Sequence, residues 1–291
     1  MTSEDALGSF LRARRELIQP EDVGIATEGR RRVPGLRREE LAMLAGISTD
    51  YYLRLEQGRD RNPSAQIVDS LSGALMLDDE AAAYLRALAV SPPRRRRARR
   101  RPDRVPVGID QHVRLHLDIP SFVHDRYMNV ISANPLAEAL SPCHRVGTNV
   151  LRTTFLNPEV RELYEDWERT AHSLVASVRA LASPDLDDPQ LAELVGDLSI
   201  KSEDFRRLWA RHDVRARISG SAHLLHPQIG PVSLNFQKLE IIGTDRQIIV
   251  IYHVPPGSDA AERLALLANI TATDEQLAPV PAGSPTDHQP G

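Results

Sequence analysis

From Asp5 to Ala89 the apolar residues fall at helical spacing: Leu7, Phe10 and Leu11 lead to Leu17 and Ile18, then come Leu41, Leu44 and Ala45, then Ile67, Leu71, Ala74 and Leu75, then Tyr84, Leu85 and Leu88. Gly46, Asn62-Pro63 and Leu77-Asp78 punctuate these runs, because glycine releases a helix end and Ser, Asn or Asp caps the next one. The pattern predicts a small all-α domain of five helices over residues 5–90. Ser91-Pro92-Pro93 closes it, and seven arginines in eight residues follow, Arg94–Arg97 and Arg99–Arg101. Like charges that dense repel one another and resist folding, which predicts a linker over 91–106.

Beyond residue 107 the periodicity is mixed. Residues 121–133 read as a hairpin turning at Asp125-Arg126, and 134–140 as one or two helical turns. Asn157-Pro158 starts a helix, since Asn caps and Pro suits the first helical position. Val160, Leu163, Tyr164, Trp167, Ala171, Leu174, Val175, Val178 and Leu181 then keep helical spacing for about six turns. Two shorter helices follow at 191–198 and 205–212, the second starting at Ser202. Val232, Leu234 and Phe236 alternate with polar residues and Ile248–Val254 is rich in β-branched residues, so strands are expected at 214–226, 230–241 and 246–254 and a closing helix at 259–270. The second domain is thus α+β over 107–270, and residues 274–291 read as a disordered tail.

Length and composition fit this division. The 291 residues are 41% hydrophobic and 26% charged, which suits two globular domains and excludes fibrous or wholly disordered classes. The net charge of −4 conceals an asymmetry: residues 1–106 carry 20 basic and 16 acidic groups, whereas residues 107–291 carry 16 and 24. The first half suits a polyanion and the second avoids one. A single cysteine, Cys143, builds neither an internal disulfide nor a thiolate metal site. The N-terminus has charges where a signal peptide needs an apolar run, and no stretch approaches a membrane span, so a cytoplasmic protein without membrane contact is expected.

The chemistry concentrates in residues 36–58. A helix packing through Leu41, Leu44 and Ala45 runs into Gly46; Ile47 plugs the core; Ser48 caps a second helix whose inward face is Tyr52 and Leu55. Two helices across so short a turn predict a helix-turn-helix. The outward face of the second helix is Thr49, Asp50, Tyr51, Arg54 and Gln57, in which Arg can fork onto guanine, Gln onto adenine and Thr offers a hydroxyl and a methyl. Arg37, Arg38, Ser48 and Arg59 complete the candidate DNA-binding set. Arg30–Arg32 and the linker arginines have the charge to touch DNA, and equally the composition of solvated segments.

The segment resembles the Cro and phage-repressor type of helix-turn-helix, and the whole chain resembles the MmyB-like transcription regulators. The blocks that carry this are LGSFLRARRELIQPEDVG, GRRRVPGLRREELAMLAGIS, YLRLEQGR, NPSAQIVDSL, LYEDWE, DDPQLAELVGDLS, FRRLWARHDV and HPQIG, in that order over residues 5–270. The resemblance implies a helix-turn-helix joined to a PAS-like ligand-binding domain with an antiparallel sheet. It implies that Thr49, Asp50 and Arg54 approach base edges and that Arg38, Tyr51 and Arg59 hold phosphates. It also implies that Glu56 pairs with an arginine of the first helix; Arg15 is favoured, with Arg12 and Arg14 as alternatives. Asp50 departs from what a phosphate-facing position favours: it can accept from cytosine N4, act against wrong sequences, or simply cap the helix.

In the second domain no HExxH, glycine-rich phosphate loop or G-x-S-x-G elbow occurs, so no enzyme, cofactor or metal is expected. Tyr164, Trp167, Phe205, Leu208 and Trp209, with Arg207, His212 and His226, are candidates for a largely apolar ligand pocket; the same residues equally make a plain hydrophobic core. Arg161, Arg206, Arg211 and His223 are further candidates for a carboxylate. The family resemblance implies a fatty-acid-like ligand. The resulting expectation is a homodimeric regulator on a roughly palindromic operator, controlled by a small apolar or acyl ligand. The rival is a DNA-binding protein whose second domain binds another protein and no small ligand.

Overall fold

The computed structural model describes residues 6–26, 35–60, 62–90, 104–182, 188–215 and 217–277. The N-terminal domain holds five α-helices: α1 (Ala6–Leu17), α2 (Arg38–Leu44), α3 (Thr49–Glu56), α4 (Ala65–Ala74) and α5 (Asp79–Ala89). Ser48, Ser64 and Asp78 cap α3, α4 and α5 by accepting from Tyr51, Ile67 and Ala81 backbone N–H groups. Phe10, Leu11, Leu36, Leu41, Tyr52, Leu55, Leu71 and Leu85 form its core. Leu44 does not join them: it is exposed, and Ala42 takes the inward position that the spacing had given to Leu44. Arg30–Arg32, Arg94–Arg97, Arg99–Arg101 and residues 278–291 lie outside the described residues.

The C-terminal domain begins with α6 (Val107–Leu115), which leads into β1 (Ser121–His124) and β2 (Val130–Ala133). Then come α7 (Pro135–Leu140), α8 (Val150–Leu156), α9 (Pro158–Leu163), α10 (Trp167–Ala182), α11 (Pro189–Lys201) and α12 (Glu203–Ala210). The chain closes with β3 (Ser219–His226), β4 (Gly230–Glu240), β5 (Ile248–His253) and α13 (Asp259–Leu277). The strands form one sheet in the order β2-β1-β5-β4-β3, and its neighbouring strands pair antiparallel. Alternation along β5 explains how it is covered on both faces. Ile248, Val250 and Tyr252 face the main helical core, while Ile249 packs with Val113 of α6 on the other side.

The helix expected to run unbroken from Pro158 is two helices. Tyr164 is extended and forms a β-bridge with Leu224, and the Glu165 N–H donates to the His223 carbonyl at 3.1 Å. Pairing with the edge strand β3 therefore wins over continued helix. β3 also starts at Ser219 rather than 214, because α10 holds the chain before it: the Arg215 N–H donates to the Ala176 carbonyl, and Ser177 Oγ donates to the Arg215 carbonyl. The final helix runs to Leu277, into the segment expected as a tail. No helix among the described residues is long and apolar enough to cross a membrane.

Candidate functional site

The N-terminal site is built by the turn between α2 and α3. Gly46 takes φ 67°, a left-handed conformation in which a side chain is strained, and this lets the chain reverse sharply enough for α3 to cross α2. Tyr52 and Leu55 bury the inner face of α3, and Thr49, Asp50, Arg54 and Gln57 stand exposed on the outer one, with Tyr51 half-buried beside them. Arg37, Arg38, Ser48 and Arg59 are exposed around this face.

A three-membered ion-pair group and a separate pair shape it. Glu56, with 3% of its side chain exposed, is the anchor of α3. It accepts from Arg15 Nε and Nη2 at 3.2 Å each, and from Arg38 Nε and Nη2 at 3.1 and 2.9 Å. Of the three candidate partners on α1, it is Arg15 that meets Glu56. Burial opposes the charge on Glu56, but the hydrogen bonds from Arg38 and Arg15 outweigh it and hold the carboxyl below its usual range. Arg38 is thus anchored through one edge while 44% of its side chain stays exposed. The separate pair is Asp50 with Arg54, four residues apart on the outer face of α3. Asp50 does not stand alone toward solvent; it orients the guanidinium that lies 5.5 Å from the centre of the Tyr51 ring.

The C-terminal site is a partly open cavity of about 80 Å³ between the sheet and α10. Phe122, Val250 and Tyr252 give it an aromatic and apolar wall; Thr170, Ser173 and Leu174 of α10 face them; Tyr164, placed by the break between α9 and α10, closes one side. His144 stacks on Phe122 with centroids 4.4 Å apart, and its Nε2 lies 3.3 Å from Tyr252 Oη. Burial pushes both cavity histidines, His124 and His144, down to about 4, so they are neutral at pH 7. Arg217 and Lys238 also line the cavity, and no carboxylate does among the described residues.

Of the sequence-derived ligand candidates only Tyr164 reaches this cavity. Trp167, Phe205 and Leu208 are core residues, Trp167 donating through Nε1 to the Thr154 carbonyl. Arg207 is exposed and paired with Asp204. His226 lies on a different groove and contacts the Ala139 carbonyl. Arg161 and Arg211 are paired with Asp204 and Asp213, Arg206 contacts the Ser199 carbonyl, and His223 contacts Ser233. The polar groups that do line the cavity, Lys238 and Arg217 among them, escaped that list. One signal existed: the alternation Val232, Leu234, Phe236 continues inward to Lys238, one of only two lysines in the chain.

Trp209 and His212 belong instead to the junction between domains. Phe10 of α1 meets the His212 ring edge-on at 6.3 Å, Arg14 pairs with Asp213 at 2.7 Å, and Val214 packs into the N-terminal core. Arg179 of α10 is buried at their centre. It donates to the Trp209 carbonyl at 2.6 Å, lies 3.8 Å from the centre of the Trp209 ring and approaches His212 Nδ1 at 3.1 Å. Burial, reinforced by Arg179, holds His212 at about 3. α10 therefore has two functional faces: Thr170, Ser173 and Leu174 toward the cavity, and Arg179 and Ala180 toward the N-terminal domain.

A family model for the MmyB-like transcription regulator ligand binding domain matches residues 105–267, and one for a helix-turn-helix domain matches residues 6–98. No curated protein matches the chain.

Proposed function

Since the chain belongs to the MmyB-like transcription regulators, a DNA-binding regulator with a C-terminal ligand-binding domain, we propose that it acts as a cytoplasmic homodimer on a roughly palindromic operator. A small amphiphile with an apolar body, bound between α10 and the sheet, controls it. In this reading Thr49, Arg54 and Gln57 read base edges in the major groove, while Arg37, Arg38, Ser48, Tyr51 and Arg59 hold the backbone. Asp50 governs how Arg54 is presented.

The observation that carries the ligand half is the double role of α10. Pockets for drug-sized ligands span roughly 300–1,000 Å³, so a ligand of that size must enlarge this cavity. The sheet wall is tied by its hydrogen-bond ladder from β1 through β5 to β4. In this reading it is the α10 wall that gives. Movement of α10 carries Arg179 with it, and hence the surface on which α1 and α5 rest. The ligand shifts operator affinity only by its differential affinity for the two arrangements.

The DNA-binding half is tested by titrating the purified protein onto DNA from immediately upstream of its own gene, against a shuffled competitor, at two salt concentrations. Preference for the natural sequence that survives higher salt is expected. Binding that is blind to sequence and lost with salt contradicts operator recognition at that site.

A further inference from the structure

The cavity described above carries more positive charge than its apolar walls require. Lys238 is the last inward-facing residue of the row Val232, Leu234, Phe236 and Lys238 on β4, so an apolar surface ends in an ammonium group. Its Nζ lies 5.6 Å from the centre of the Phe236 ring. Arg217, just before β3, stands beside it. Gly220, opposite Phe236 in the β3–β4 register, leaves room for both side chains: a Cβ there would come within 2.9 Å of the Phe236 ring and 3.7 Å of Arg217 Cζ.

Two further arginines, both exposed, lie near Arg217. Arg169 adjoins the cavity-lining Thr170, and Arg215 is two residues away; both lie near enough to oppose the charge on Arg217. None of Arg169, Arg215, Arg217 and Lys238 forms an ion pair with a described residue. Elsewhere the domain pairs its cations readily, as in Arg152 with Asp197, Arg161 with Asp204 and Arg126 with Asp188. Burial and the neighbouring Arg217 lower Lys238 to about 8, which still leaves it charged at pH 7.

Resting on the ligand reading above, we propose that the cavity binds an amphiphile whose head is a phosphate, held by Lys238 and Arg217 with Arg169 and Arg215 at the rim, and whose acyl or alkyl chain lies along Phe236, Tyr252 and Phe122. A carboxylate brings one negative charge and two acceptor atoms. A phosphate brings between one and a half and two charges at pH 7 and three strong acceptors, which suits a group of four cations, and guanidinium forks match it bidentately.

Calorimetric titration of the full chain with decyl phosphate, decanoate, decanol and inorganic phosphate tests this. Decyl phosphate is expected to bind at least tenfold more tightly than decanoate and at least a hundredfold more tightly than decanol or inorganic phosphate. Lys238→Met is expected to cut decyl phosphate affinity at least tenfold while the circular dichroism spectrum and tryptophan fluorescence of the ligand-free protein stay as in the parent, which reports that the variant is folded. Arg217→Gln is expected to do the same by a smaller factor. Decanoate matching decyl phosphate overturns the phosphate head, and decanol matching both overturns the anion site while the apolar cavity stands. Inorganic phosphate binding as tightly as decyl phosphate overturns the amphiphile. Binding by none of the four overturns the ligand reading beneath this proposal together with it.

Discussion

Glu56→Gln is the substitution whose consequence the structure specifies most closely. The change keeps the side chain's shape and removes the one charge that two arginines share. Arg15, with 5% of its side chain exposed, keeps the Leu36 carbonyl at 2.7 Å and, more distantly, the half-exposed Glu16 carboxylate at 3.6 Å. Removing one partner of a buried pair costs about 3–5 kcal/mol, because the other charge stays buried. The surviving Leu36 contact and the solvent around Arg38 argue for the lower end, about 3 kcal/mol. For a domain of this size that lowers the melting temperature by on the order of 10–20 °C. Urea unfolding followed by far-ultraviolet circular dichroism reports helix loss in both domains, and the fluorescence of Trp167 in the C-terminal core marks the C-terminal transition, so that the N-terminal one is told apart by comparison. Arg38→Ala, which removes only the half-exposed partner, is expected to cost about 1 kcal/mol or less in the same assay. A loss below about 1 kcal/mol for Glu56→Gln would refute the claim that this triad fixes α3 against α1 and α2.

The remaining predictions concern DNA, pH and the junction. Arg54→Ala is expected to cost about 1–3 kcal/mol of operator binding and to relax preference at one base position; an equal loss on every sequence, seen by titrating a set of single-base variants, would make it a backbone contact instead. Asp50→Asn frees Arg54 from its carboxylate and is expected to raise affinity for unrelated DNA more than for the operator, narrowing the ratio measured by competition. His124, His144 and His212 are neutral in the folded protein, with values of about 4, 4 and 3 against 6.5 when unfolded. Their contribution is complete above about pH 6.5 and is lost as pH falls toward the folded values, by about 2 kcal/mol per histidine at pH 5; unchanged urea midpoints at pH 7.5 and pH 5 would contradict it. Arg179→Met removes the buried cation at the junction and is expected to loosen domain docking by about 1–3 kcal/mol, read as a larger radius of gyration in solution scattering and a smaller effect of ligand on DNA binding; a variant with unaltered scattering and coupling would remove α10 as the connecting element.

How far residues alone disclosed this molecule follows from how local each feature is. The helix-turn-helix is local: Gly46 at a left-handed turn, Ser48 as cap and Tyr52 with Leu55 turned inward are fixed within a dozen residues, whereas the narrowing of the Glu56 partner to three arginines of one helix came from the family resemblance. The hairpin at 121–133 and the late strands were legible for the same reason, since alternation and turn residues report on neighbours along the chain. The cavity was not. Helical periodicity placed Tyr164 within one long helix, whereas backbone pairing with Leu224, sixty residues away, broke that helix and turned Tyr164 to the cavity. Periodicity likewise put Phe205, Leu208, Trp209 and His212 on one side of a helix without saying what each would meet. Phe205 and Leu208 went to the C-terminal core, while His212 met Phe10 across the domain junction. Lys238 and Arg217 come together only through the β3–β4 register, which no spacing within either segment discloses.

Coupling between cavity and recognition helix is the central claim, and operator affinity measured with and without saturating decyl phosphate tests it most directly. The account predicts a shift of at least fivefold in either direction, mirrored by the same factor in decyl phosphate affinity when operator is added, since coupling between two binding sites is reciprocal. Decyl phosphate bound in the cavity with operator affinity unchanged would contradict it.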